Sequence, residues 1–204
     1  MNPLSDAALV LIEYQQDWLC QNGKLRHLMQ DETLFQRSVE RSCHVLAAAR
    51  AAGLRVVHVG LRFAADYPEL GDGAKYGLRR AIQGAKSFSV EEEGSAFAPS
   101  FTPRDGEFVV AGRTGASAFA GSNLDSYLRN NRITGLYLMG YATHVCVEST
   151  LRQAHDLGYD TAVILDATAA FNSRQQDYFT SQVVHHFGHG ISADSFAESL
   201  GKSP

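Results

Sequence analysis

The chain has 204 residues, 45% of them hydrophobic and 20% charged, which suits one globular domain with a single sizeable core. Its formal charge of −4, with 18 Lys and Arg scattered along the sequence, offers no basic stripe for nucleic acid and no attraction to an anionic membrane surface. No stretch approaches the roughly 18 apolar residues needed to cross a bilayer, MNPLSDAALVLIEY lacks the basic start and cleavage site of a signal peptide, and three widely spaced cysteines make neither a disulfide framework nor a zinc ribbon, so a cytoplasmic protein with free thiols is expected.

Residues 8–12 (ALVLI) form a short continuous apolar run, the pattern of a strand buried on both faces of a parallel sheet, and the run stops at Glu13. Thr33 and Gln36 read as a capping box that opens a helix with Phe35, Val39, Cys43 and Leu46 on its apolar face and Gly53 as its stop. Residues 54–60 (LRVVHVG) are the next strand. From about residue 61 to 104, Gly, Ala, Pro and charged residues follow one another without a sustained period; a segment of this length in a compact domain is functional or carries short helices of its own. Residues 107–112 (EFVVAG) are a strand, Ser122 and Asp125 a second capping box for a helix to about Asn131, and residues 136–140 a strand. Thr143 is placed to cap a helix over 146–157 that Gly158 stops. Residues 161–165 (TAVIL) are a strand ending at Asp166, and 174–187 a last long helix. Strands alternating with helices imply right-handed crossovers and a parallel sheet covered on both faces, a three-layer α/β/α fold in one domain over residues 1–204.

Ligands of open parallel sheets collect at the carboxyl ends of the strands. Three such ends carry reactive groups: Glu13, Arg113 and, six residues beyond Gly140, Cys146. In the first turn of a helix, unpaired N–H groups and the helix dipole favour a thiolate over a thiol. Position alone leaves two readings of Cys146, a nucleophile or a small buried core residue. Glu13 favours the first, because a carboxylate directly after a buried strand is desolvated and suited to exchanging protons near neutrality. A carboxylate, a permanent cation and a thiol in one crevice make a poor core and a workable active site. Trp18, Phe119, Tyr141 and His144 flank these positions as candidates for the pocket wall, and the three aromatic ones fit core positions as well. Gln15 and Asp17 are placed to brace the first strand's exit, and Cys20 and Cys43 read as structural. Of His185, His186 and His189, only the first and last share a helix face, and no carboxylate lies at a helpful spacing, so they complement a helix dipole rather than bind zinc.

The reactive residues sit in three motifs. ALVLIEYQQDWL, EGSAFAPSFTPRDGEFVVAGRTGASAFAGSNLDSYL and GYATHVCVESTLRQAHDLGYDTAVILDATAA resemble the opening, central and nucleophile segments of the isochorismatase-like cysteine hydrolases, a superfamily that includes nicotinamidases, N-carbamoylsarcosine amidases and isochorismatases. The likeness extends along almost the whole chain outside about residues 61–92. It implies a Rossmann-like sheet of six parallel strands and a triad of Asp, Lys and Cys. Cys146 falls on the nucleophile, Glu13 stands where the family has Asp, and Arg113 stands where it has Lys. Tyr141 and Ala142 fall on a dipeptide that the family joins by a cis bond, and the N–H groups of Ala142 and Cys146 fall on its oxyanion hole. The Asp-x-His pair by which many nicotinamidases hold a metal has no counterpart in GLRFAADYPEL, so neither a metal nor another cofactor is implied. The implied partners are a small-molecule substrate and further copies of the chain, as a dimer or tetramer.

Glu is one methylene longer than Asp with nearly the same acidity, while Arg cannot lose its proton but can grip a carboxylate with its fork. The resemblance thus implies hydrolysis of a small, planar or carboxylated amide through a thioester. Enol-ether cleavage of the isochorismatase type and a non-catalytic binding role are the alternatives.

Overall fold

The computed structural model describes residues 5–201. Six strands, β1 (Ala7–Ile12), β2 (Arg55–Val59), β3 (Phe108–Val109), β4 (Gly135–Tyr141), β5 (Asp160–Ala169) and β6 (His189–Ile191), form one sheet in the order β3-β2-β1-β4-β5-β6, with every neighbouring pair parallel. β1 shows why the sheet has a core on each face. Its side chains alternate, so Ala7, Leu9 and Leu11 enter one apolar cluster while Ala8, Val10 and Ile12 enter the other. The first cluster is closed by α2 (Glu32–Ala51) through Phe35, Val45, Leu46 and Ala49, and by α8 (Ala193–Leu200) through Phe196 and Leu200. The second is closed by α4 (Leu124–Asn130) through Leu124 and Leu128 and by α5 (Glu148–Asp156) through Leu151 and Ala154. The result is the three-layer α/β/α fold expected.

Several boundaries differ from the sequence reading. α2 begins at Glu32 because the Asp31 carboxylate accepts the Leu34 N–H at 3.0 Å, so Thr33 lies inside the first turn and does not cap it. Ser122 accepts the Leu124 N–H at 3.2 Å and donates to the Ala118 carbonyl at 2.7 Å; it ties down the preceding turn, and α4 starts without a capping box. The single helix expected over 174–187 is instead α6 (Ser173–Tyr178), capped by Asn172, a π-helical turn at Phe179–Val183, and α7 (Val184–Phe187). β5 runs past TAVIL, because after a register shift Thr168 and Ala169 pair with Gly140 and Tyr141. β3 keeps only two residues, and β6 and α8 follow the last element expected from the sequence. The excursion after β2 carries α3 (Gly77–Ala85) and three short 3-10 turns.

From β1 the chain builds outward through β2 to β3, then returns to β4 on the other side of β1. The carboxyl ends of β1 and β4 therefore flank the topological switch point, where a parallel sheet opens a crevice. Glu13 follows the one and Cys146 the other.

On the far side of β1, His58 of β2 is buried, with its Nε2 2.7 Å from Glu107, and Arg50 donates to both Glu107 oxygens at 2.7 and 2.9 Å. Burial alone would raise the Glu107 pKa, but Arg50, the Arg104 N–H and His58 outweigh it and bring it down to about 2. The folded value lies below the unfolded one of about 4.3, so the stabilisation is complete above roughly pH 5 and is lost as pH falls toward the folded pKa. Urea unfolding between pH 5 and 2 should therefore show a falling stability that Glu107→Gln flattens; an unchanged slope in the variant would contradict this role. Among the described residues, no helix is long and apolar enough to cross a membrane.

Candidate active site

β1 ends where Glu13 adopts φ 59°, a left-handed conformation that costs a non-glycine residue about 1 kcal/mol or more, while its N–H donates to the Val59 carbonyl at 2.7 Å. The turn leaves the Glu13 carboxylate buried at the sheet's carboxyl edge. One oxygen, Oε1, accepts from Arg113 Nη2 at 2.7 Å; the other, Oε2, accepts from Trp18 Nε1 at 2.9 Å. Trp18 stands on α1 (Gln16–Leu19). The residues expected to brace this exit do so: Gln15 Nε2 donates to the Leu61 and Ser95 carbonyls, each at 2.7 Å, and Asp17 accepts the Phe88 N–H at 2.7 Å.

Arg113 comes from the loop after β3, two strands away from β1, and the length of its side chain spans that gap. The loop wraps its guanidinium: Nε donates to the Gly115 and Ser117 carbonyls at 3.0 and 3.2 Å, and Nη2 to the Ala116 carbonyl at 2.5 Å. Nη1 has no hydrogen-bond partner among the described residues. Burial works against this charge, but Glu13 and then Cys146 outweigh it and keep the guanidinium protonated. Thr150 joins the loop to the cysteine segment, accepting the Ala118 N–H at 2.9 Å and donating to the Cys146 carbonyl at 2.7 Å.

Cys146 does not begin an α-helix as expected. It lies in a π-helical turn, Thr143–Val147, between β4 and α5. Gly140 is required just before this turn, because at φ 128° a Cβ there would stand 2.0 Å from the Ile12 carbonyl oxygen. The Tyr141–Ala142 peptide bond is cis. The Ala142 carbonyl accepts from Val145 and Cys146, each at 3.0 Å, and from Val147 at 3.3 Å, so the Cys146 N–H has a partner in this structure. Thr143 does not cap the turn, because its hydroxyl donates to Gln176 Oε1 at 2.8 Å.

The thiol is correspondingly different from the thiolate a helix start would favour. Burial first, and the neighbouring Glu13 carboxylate second, push its pKa well above the ordinary value, with Arg113 opposing them incompletely. Cys146 rests as a thiol between a carboxylate and a guanidinium.

Glu13, Ala142 and Cys146 open on a cavity of about 360 Å³ whose walls include Trp18, Leu25, Leu28, Ile82, Phe88 and Phe171. Of the four side chains proposed for the pocket wall, only Trp18 lies there. Tyr141 points into the core beneath α2, its hydroxyl 3.1 Å from Ser38 and its ring against Tyr14 and Phe35. Phe119 packs in the opposite core, stacked on Tyr159 at 5.7 Å. His144 sets its ring edge to face with Phe171 at 4.6 Å and borders a separate depression with Glu148, Arg174, Gln175 and Tyr178; burial holds its imidazole below the usual pKa. Most of the wall comes from residues without a reactive motif around them. Leu78 and Ile82 share a face of α3 at i, i+4, a signal that could have been found, whereas Leu25 and Leu28 belong to an irregular turn with no period to read. Among the described residues, no three His, Cys, Asp or Glu side chains group as metal ligands.

Comparison with known proteins places the fold and the sequence in a family. Residues 7–195 match the isochorismatase domain model. The chain is 30% identical over 208 residues to the ureidoacrylate amidohydrolase RutB of Variovorax paradoxus (strain S110), a match spanning 96% of this chain and 82% of that protein. It is 36% identical over 115 residues to the uncharacterized isochorismatase family protein YrdC of Bacillus subtilis (strain 168), spanning 55% of this chain and 61% of that one. The N-carbamoylsarcosine amidase of Thermoplasma acidophilum superposes with a TM-score of 0.68 at 26% identity, covering 93% of this chain and 97% of the amidase. With a family model matched along nearly its whole length and a relative similar from end to end, the chain belongs to the isochorismatase family.

Proposed function

We propose that the protein is a cysteine-dependent amidohydrolase, in which Cys146 attacks the carbonyl of a small amide and the resulting thioester is hydrolysed. The observation that carries this reading is a buried carboxylate and a buried guanidinium beside one thiol that lines a cavity at the sheet's switch point. Burying an ion pair costs several kcal/mol of desolvation, a poor way to surround a core cysteine and a direct way to control a reacting one. The names of relatives support amide chemistry, one an amidohydrolase and one an amidase.

Since the sulfur rests protonated, Glu13 takes the thiol proton as the S–C bond forms, and the carbonyl π pair moves to oxygen. The oxyanion is received by the N–H groups of Ala142 and Cys146. The second must share its bond with the Ala142 carbonyl, which keeps Val145 and Val147 as donors, so the change costs that carbonyl little. Glu13 then returns the proton to the departing nitrogen, the C–N bond breaks, and ammonia or an amine leaves a thioester on Cys146. Water adds to the thioester carbonyl with Glu13 again as base; the C–S bond breaks, the sulfur recovers the proton, and a carboxylic acid is released. Arg113 keeps its proton throughout; it orients Glu13 and its charge steadies the transient thiolate, while Trp18 holds Oε2. Enol-ether cleavage or a purely binding role would leave the thiol between two charges without a task. Cytoplasmic residence and assembly as a dimer or tetramer belong to the same reading.

Ammonia release from a panel of simple primary amides tests the proposal; turnover proportional to enzyme is expected, and a folded protein that releases none contradicts it. The resting thiol gives a second expectation. Its raised pKa means the thiolate fraction grows only as pH climbs, so alkylation of Cys146 by iodoacetamide should be slow at pH 7 and rise about tenfold per unit toward pH 9. A rate independent of pH would show a sulfur already ionised.

A further inference from the structure

Resting on that reading, we infer that the substrate's acyl group is apolar and uncharged, an aliphatic or aryl chain, and that the site rejects carboxylated amides. Apart from the reacting groups Glu13, Ala142 and Cys146, every side chain lining the cavity is aliphatic or aromatic, with Leu25, Leu28, Leu78, Ile82, Phe88 and Phe171 forming most of the wall. The single polar atom among the lining aromatics, Trp18 Nε1, donates to Glu13. The cation beside the site, Arg113, is fully buried behind Glu13 and bonded to it and to the carbonyls of Gly115, Ala116 and Ser117. Arg79 and Arg80, next to the wall residue Leu78 on α3, are exposed.

A carboxylate at the end of a substrate chain would thus enter hydrocarbon with no cation and no side-chain donor to receive it, and with the Glu13 carboxylate in the same cavity. An alkyl or aryl chain would leave water for a surface of its own kind. Each added methylene is expected to raise kcat/KM about threefold to fourfold, the equivalent of about 0.8 kcal/mol, until the chain fills the space. A volume of about 360 Å³ suits a small molecule of this kind. Much of the wall comes from α3 and the turn near Leu25, so selectivity rests on segments outside the reacting motifs.

The experiment compares ammonia release from acetamide through hexanamide, and from hexanamide against adipamate, the six-carbon chain that ends in a carboxylate. The expected result is a rise along the series and a preference for hexanamide over adipamate of about a hundredfold or more. A second arm reads occupancy without turnover: hexanamide slows alkylation of Cys146 by iodoacetamide, and adipamate at the same concentration does not. Protection by hexanamide without turnover keeps the apolar class and removes the amidase reading. Turnover with adipamate equal or preferred keeps the amidase reading and overturns the apolar class; a failure of both amides to react or protect overturns the apolar class and gives the amidase reading no support.

Discussion

Replacing Cys146 with Ser should lower amide hydrolysis by about 10⁴-fold or more while leaving the fold in place. The substitution keeps a small polar side chain at a buried position, so urea unfolding should move by less than about 1.5 kcal/mol. The chemistry is not conserved. A hydroxyl is far less acidic than even the raised Cys146 thiol, and Glu13 has no reach to a second base that would help it remove that proton. Steady-state ammonia release beside a denaturation curve checks both halves. A variant within tenfold of the parent rate would remove Cys146 from the chemistry.

Glu13→Gln should separate two properties that usually travel together: hydrolysis falls about 10³-fold or more, whereas alkylation of Cys146 at pH 7 becomes faster. Burial first and the carboxylate second raise the thiol's pKa while Arg113 lowers it, so removing the carboxylate leaves the guanidinium opposed by burial alone and increases the thiolate fraction. That thiolate has no proton to return to the leaving nitrogen and no base for the water. The substitution also breaks a fully buried ion pair and sets an amide NH₂ against either Trp18 or Arg113, both donors, so a loss of about 3–5 kcal/mol in stability is expected. Intact-mass alkylation kinetics, ammonia release and urea unfolding on one preparation measure all three. Slower alkylation together with slower hydrolysis would mean that Glu13 serves only the fold.

The parts of this molecule that were legible in the sequence are those set by local pattern. The apolar run of β1 announces burial on both faces, and the residue that ends it, Glu13, stands at a carboxyl edge whatever the rest of the chain does. Arg113 and Cys146 follow strands in the same way, so the three could be grouped before any distance was known. What stayed hidden depends on partners remote in sequence. Thr143 looks like a cap, but Gln176 of α6 takes its hydroxyl, and a π-helical turn replaces the expected helix start. The state of the thiol was hidden for the same reason, because burial first and the Glu13 carboxylate second raise its pKa, and both depend on segments remote from Cys146 in sequence. Tyr141 sits beside the reacting segment in sequence, yet strand alternation turns its ring to the α2 side of the sheet. β6 has three residues and is defined by its pairing with β5, not by a pattern of its own.

Nucleophile competition tests the central claim, a thioester on Cys146, most directly. With hydroxylamine present, one common acyl-enzyme would partition between water and hydroxylamine irrespective of which nitrogen had left. The hydroxamate-to-acid ratio should therefore be the same for a primary amide and for the anilide of the same acid, even where their rates differ. A ratio that changes with the leaving group would mean that water attacks the bound amide itself and that the sulfur forms no bond to carbon.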